Sequence, residues 1–149
     1  MATFLFKTEP SEYSFADLSR EKRCVWTGVA NPAARIALRQ VKKGDRVLIY
    51  HTGDEKAIVG EAKAVSDVYA DPERTGLNDR GEVNFPVLDL SPVKAWSSPV
   101  TLAAIKADKR LADLGLVKLS RLSVMSVSTE HEAILMRMAA GALQTKRSG

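Results

Sequence analysis

The sequence predicts an α+β domain in which a small, curved sheet of about six strands closes into a barrel, with short helices packed outside it or over one mouth. Three observations carry this. Strand-type alternation recurs in segments spread from Phe4 to Val127 and not in one block. Helix-start signals stand between those segments. No G-x-G-x-x-G follows a strand, and Gly44, Gly53 and Gly60 lie scattered in turn-like contexts, which argues against a doubly wound dinucleotide fold. A chain of 149 residues buries roughly 70% of its unfolded surface, enough for one real core and cramped for two. A single domain over residues 1–141 is expected, with a frayed tail over 142–149.

Phe4 to Lys7 alternates, placing Phe4 and Phe6 on one side and Leu5 and Lys7 on the other. Ser14 is positioned to cap a short helix over Phe15 to Ser19, with Asp17 at its third position. Asn31-Pro32 is a strong helix start, because the Asn side chain accepts free amides and Pro fits the first helical position. That helix is expected to run to about Lys42 and stop before Gly44. Asp45 to His51 alternates, a turn follows at Thr52 to Glu55, and Ala57 to Tyr69 supplies a long second strand with Gly60 as a bulge. These two should form a hairpin.

Residues 71–81 are polar and rich in Gly and charge, and read as a surface loop. Val83 to Ala95 returns to strand character, interrupted by Pro86 and Pro92, which argues for bends or an edge position. Thr101 can cap a helix over Leu102 to Ala107, and Leu122 to Val127 is the last strand. Thr129 with Glu132 forms a capping box for a helix to Ala140, which Gly141 should close.

Composition narrows the function classes. The chain is 45% hydrophobic and 27% charged, as in an ordinary soluble globule. No run approaches the ~18 apolar residues of a membrane span, and the start Met1-Ala2-Thr3-Phe4-Leu5 lacks the features of a signal peptide. A cytoplasmic protein, with no membrane partner and monomeric, is the expectation. Cys24 is the only cysteine, and His51 and His131 are the only histidines. An internal disulfide is therefore excluded, and neither a metal nor a cofactor is expected. Cys24 reads as a small buried residue. The net charge of +4 passes the screen for nucleic-acid binders, weakly.

Four clusters could carry chemistry. Lys7-Thr8-Glu9-Pro10 is followed by Tyr13, and Lys7 and Glu9 share a side of an extended chain. They either form a surface ion pair or present a donor and an acceptor at a cavity rim. Trp26-Thr27-Gly28-Val29-Ala30-Asn31 leads into a helix start, where Gly28 permits close approach of a ligand and the first amides suit an anion. Tyr50-His51-Thr52-Gly53 ends a strand, and its His reads first as a structural histidine. The helix from Pro32 carries Arg35, Arg39, Lys42 and Lys43 at spacings of four, three and one, which puts them on one stripe, either a solvated face or a track for phosphates.

Together these stretches resemble the EVE domain family of the PUA-like superfamily, relatives of the YTH domains and of thymocyte nuclear protein. The matching blocks are Phe4 to Tyr13, Trp26 to Asn31, Lys43-Gly-Asp45 with Tyr50 to Gly53, Ala57 to Gly60, Pro99 to Leu102 and Ser120 to Val127. The resemblance implies a PUA-like barrel whose pocket binds nucleic acid through a modified base. Carried over by motif, the lining is Lys7, Thr8, Glu9, Tyr13, Trp26, Gly28, Val29, Asn31, Tyr50, His51, Thr52, Arg121, Leu122 and Ser123. Thr8 and Thr52 stand where Ser is common, which keeps the hydroxyl, and Ser126 replaces a usual Pro.

The leading expectation is a non-enzymatic module that accepts a modified base of DNA or RNA between aromatic walls. Two alternatives stay open. One is an amidohydrolase acting on modified nucleosides, as among the distantly related ASCH proteins, with Lys7 and Glu9 as activator and acid/base. The other is a binding protein for a small metabolite in the same pocket.

Overall fold

The structure, a computed structural model, describes residues 1–148, and the side chains of residues 1–141. Seven strands build it: β1 (Thr3–Thr8), β2 (Cys24–Trp26), β3 (Arg46–His51), β4 (Ala57–Ala64), β5 (Tyr69–Ala70), β6 (Pro86–Thr101) and β7 (Val124–Val127). Among the described residues the helices are α1 (Phe15–Glu21), α2 (Pro32–Leu38), α3 (Leu102–Ala107), α4 (Gly115–Lys118) and α5 (Thr129–Ser148), with a 3-10 turn at Lys109–Leu111. The sheet is mixed, in the order β2-β6-β4-β3-β1-β7, with β5 beside β6. It curls into a half-barrel whose edges are β2 and β7, and α2 packs on both β6 and β7.

Alternation along β1 divides two cores. Phe4 and Phe6 point into one with Phe15, Leu18, Leu38 and Leu88. Leu5 enters the other with Trp96, Ile105, Leu111 and Leu135. Both faces of the sheet are therefore covered, which explains why β3 is buried at five successive positions, Val47 to His51.

The local signals act as read. Ser14 and Asp17 close a capping box on α1, and the Asn31 side chain accepts from the amides of Ala33 at 2.8 Å and Ala34 at 3.2 Å. β3 and β4 form the hairpin, with a register shift that leaves Val59 unpaired beside Gly60. A Cβ on Gly60 would stand 2.7 Å from the Phe15 ring, so the strand needs glycine there to admit α1.

Several expectations are corrected by long-range contacts. α2 stops at Leu38 and does not reach Lys42, because Asp45 draws the chain into a turn: its carboxylate accepts from the amides of Ala2 (3.0 Å) and Lys42 (2.9 Å). The strand from Ala57 ends at Ala64 and resumes only as β5. β6 is continuous and runs further than expected, from Pro86 to Thr101; β2 and β5 flank only Pro86 to Leu90, Ser91 to Thr101 pairs with β4 alone, and Pro92 lies at a register shift on that one-sided stretch, as its proline implied. The last helix is capped by Ser128, whose hydroxyl accepts from the His131 amide at 3.1 Å. Glu132 is drawn away from a capping box to Thr3 Oγ1, which donates to it, and to Arg46, 2.6 Å away. α5 also passes through Gly141 to Ser148. The expected fraying of 142–149 falls on residues whose side chains lie outside the described ones. No helix among the described residues is long and apolar enough to cross a membrane.

Candidate functional site

β1 and β2 end, and β7 begins, around one cavity of about 680 Å³ at the gap between the sheet edges. Three features of the chain place its walls. The β1 ladder continues through the Lys7 amide, which donates to the Ser123 carbonyl at 2.9 Å, setting Ser123 beside Lys7. The loop after β1 is folded back by the amides of Glu12 and Tyr13, both donating to the Glu9 carbonyl at 2.9 Å, and by Thr8 Oγ1 donating to the Tyr13 carbonyl at 2.7 Å. Pairing of β2 with β6 brings in Trp26 opposite Leu88.

The aromatic wall is built in two layers. Trp26 is half-buried, leaning on Phe6 with ring centroids 5.5 Å apart, while Tyr13 meets it edge-on at 6.2 Å and 82°. Tyr13 Oη donates to Glu21 at 3.1 Å, and burial first, then neighbouring Cys24 and Glu21, push its pKa up. Burial also raises the Cys24 thiol. Both groups are thus neutral.

The polar wall is a donor beside an acceptor. Lys7 Nζ donates to the Ser120 carbonyl at 2.7 Å and lies 5.9 Å from the Tyr50 ring centroid; burial lowers its pKa. Glu9 accepts from the Ser11 amide (3.3 Å), Ser11 Oγ (3.1 Å) and Thr52 Oγ1 (3.0 Å). Those bonds, the Ser11 amide foremost, hold its carboxyl below the usual range. Gly53 allows this: a Cβ there would stand 2.9 Å from a Glu9 carboxylate oxygen, and its φ of +76° suits glycine. No ion pair joins Lys7 to Glu9 among the described residues, so the surface-pair reading of these two is set aside.

Of the fourteen residues assigned by resemblance, the cavity brings together Lys7, Thr8, Glu9, Tyr13, Trp26, Gly28, Val29 and Ser123. Asn31, Arg121 and Leu122 line a neighbouring cavity of about 360 Å³ instead. Tyr50, His51 and Thr52 line neither and stand behind the site. Tyr50 is buried in the second core, and His51 Nε2 accepts from the Phe15 amide at 3.0 Å with Nδ1 2.7 Å from Glu55. His51 is a satisfied structural histidine that fixes the start of α1. The cavity also includes Thr27 of the second cluster, and Glu12, Glu21, Arg23, Cys24 and Val25, which no sequence pattern assigned to it. Arg23 is held by Asp89 at 2.8 Å, and Asp89 by Tyr69 at 2.6 Å. Strand pairing across 66 positions brings that set together, and no local pattern signals it.

The basic stripe does not form as read. α2 ends before Lys42 and Lys43, and the guanidiniums of Arg35 and Arg39 clamp the chain before β6: Arg35 donates to the Asn84 carbonyl at 3.0 Å, Arg39 to that of Val83 at 2.7 Å. Arg35 also covers the Phe85 ring at 4.8 Å. These two, with Ile36 and Asn78, border a third cavity of about 310 Å³. No group of His, Cys, Asp and Glu able to hold a metal occurs among the described residues.

Residues 2–138 match the family model for the EVE domain. Over 132 residues the chain is 30% identical to thymocyte nuclear protein 1 of Gallus gallus, a match covering 80% of this chain and 53% of that protein. The chain thus spans about half the length of that relative. A Rhodopseudomonas palustris protein solved by NMR superposes with a TM-score of 0.84 at 37% identity over 94% of both chains. The human THYN1 protein, solved in complex with 5-methylcytosine containing DNA, has the same fold, with a TM-score of 0.81 at 22% identity over 93% of this chain and 98% of that one.

Proposed function

Because this chain belongs to the EVE domain family, with its PUA-like fold, we propose that it is a non-enzymatic nucleic-acid-binding module whose large cavity takes one modified base of a DNA or RNA strand. The observation that carries this reading is the pairing of walls: Trp26 and Tyr13 offer aromatic surface, and Lys7 and Glu9 offer a donor next to an ionised acceptor. A base has the matching parts, a π-face and an edge with donors and acceptors.

The polar wall narrows the base. Glu9 accepts only; its Oε1 already takes both Ser11 bonds, while Oε2 keeps one lone pair beyond the bond from Thr52, and Lys7 keeps two of its three protons after Ser120. An edge with an exocyclic amine beside a ring nitrogen or carbonyl, as in cytosine or adenine, satisfies both. Enclosing one methyl group adds about 0.8 kcal/mol, roughly fourfold in affinity. Stronger discrimination comes from the edge, since a wrong base leaves buried donors or acceptors unpaired at about 1–3 kcal/mol each. The human THYN1 complex with 5-methylcytosine containing DNA supports the same class of ligand.

The acid/base role fits Glu9 poorly. A general acid/base works best with a pKa near the operating pH, and Glu9 is held in the opposite direction, its carboxylate fixed by Ser11 and Thr52. Titrating the protein with oligonucleotides that carry plain or modified cytosine and adenine, at equal salt, tests the proposal. The expected result is a preference of at least about fourfold for one modified member. Equal affinity across the panel overturns it.

A further inference from the structure

The two adjacent cavities differ in charge, and the difference reports what crosses between them. Three carboxylates, Glu9, Glu12 and Glu21, border the first, against Lys7 and an Arg23 already bound to Asp89. That wall accepts a neutral base and repels phosphate. The second cavity has no carboxylate in its lining: Lys118 and Arg121 supply its charge, Leu119 and Leu122 its apolar surface. Lys118 lies 3.2 Å from Asp113, and Arg121 has no ion-pair partner among the described residues. Leu119 is 54% exposed and offers apolar surface at the cavity.

The two cavities share a stretch of chain. One segment serves both, with Leu122 facing the second and Ser123 the first, and the bond from Lys7 Nζ to the Ser120 carbonyl ties that segment to the base-facing side. From this arrangement, and resting on the base-binding reading above, we infer that the second cavity holds the sugar-phosphate of the nucleotide next to the one whose base enters the first. Arg121 faces the phosphodiester, Lys118 being paired with Asp113, and Leu119 and Leu122 pack on the sugar. The ligand is then a strand, and neither a free nucleoside nor a small metabolite.

Salt dependence reads this directly. The probes are 5-methyldeoxycytidine and a single-stranded hexamer containing it, titrated into the wild type, Arg121→Gln and Lys94→Gln; Lys94 is an exposed cation of β6 that lines neither cavity. Arg121→Gln is expected to weaken the hexamer and to lower the slope of log affinity against log salt by about 0.7, the value for one phosphate contact on a single strand. Its affinity for the nucleoside should be unchanged, and Lys94→Gln should match the wild type with both probes. Normal wild-type binding with an unchanged slope in Arg121→Gln, or an equal loss of slope in Lys94→Gln, overturns the second cavity alone. Equal weakening of nucleoside and hexamer does so as well, by placing Arg121 against the base. A wild-type protein that ignores both probes, and equally the matching nucleoside and hexamer for each other modified base of the panel above, overturns the base-binding reading and this one with it.

Discussion

Trp26→Ala is expected to weaken binding of a base-bearing oligonucleotide by about 1–3 kcal/mol, roughly five- to 150-fold, the usual cost of losing a base–aromatic stack. The reason is its placement at the end of an edge strand, half-buried, with Phe6 behind it and Tyr13 at its side. Its cost to folding should stay below the ~3–5 kcal/mol of a fully buried Trp, because part of the indole already faces the cavity. Affinity and denaturant midpoint, measured on the same preparation, separate the two effects. A variant that is strongly destabilised yet binds normally when folded would place Trp26 in the core and remove the aromatic wall from the account.

Phe6→Ala reverses that balance, with the larger loss in stability. Phe6 is fully buried among Phe15, Leu18 and Leu88, and it is the surface on which Trp26 leans. A loss of about 3–5 kcal/mol is expected, the removed transfer energy plus the cavity left beside Phe15 and Leu18 of α1 and Leu38 of α2. Urea unfolding monitored by the tryptophans reports it as a lowered midpoint at constant slope. Binding should weaken too at concentrations where the variant is folded, since Trp26 loses its backing. A stability loss under about 1 kcal/mol would mean that the core closes around the gap and that the indole is positioned by Tyr13 and not by Phe6.

How much of this was legible in the sequence follows the range of the interactions. β1, the Ser14–Asp17 box on α1 and the Asn31-Pro32 start of α2 depend on neighbours within a few residues, and each forms as read. β2 has three residues and exists only because β6 pairs with it, so no pattern within Cys24–Trp26 announces it. The end of α2 and the capping of α5 are decided by Asp45 and Glu132, whose carboxylates are recruited across 43 and 129 positions, to Ala2 and Thr3. The site divides the same way. Lys7, Glu9, Tyr13 and Trp26 lie in motif-bearing segments, whereas Arg23 reaches the cavity only through its bond to Asp89 on β6. Tyr50 and His51 belong to a motif yet point inward, because β3 is covered on both faces.

NMR of the labelled protein titrated with the hexamer shows whether a base binds in the cavity of Lys7, Glu9, Tyr13 and Trp26. The two tryptophans give an internal comparison, since Trp26 lines the cavity and Trp96 is buried in the other core. Binding there is expected to shift the Trp26 indole and the amides of Lys7, Tyr13 and Ser123, with the Trp96 indole unmoved. Shifts confined instead to Arg35, Ile36 and Asn78 around the third cavity, with the Trp26 indole silent, would contradict it.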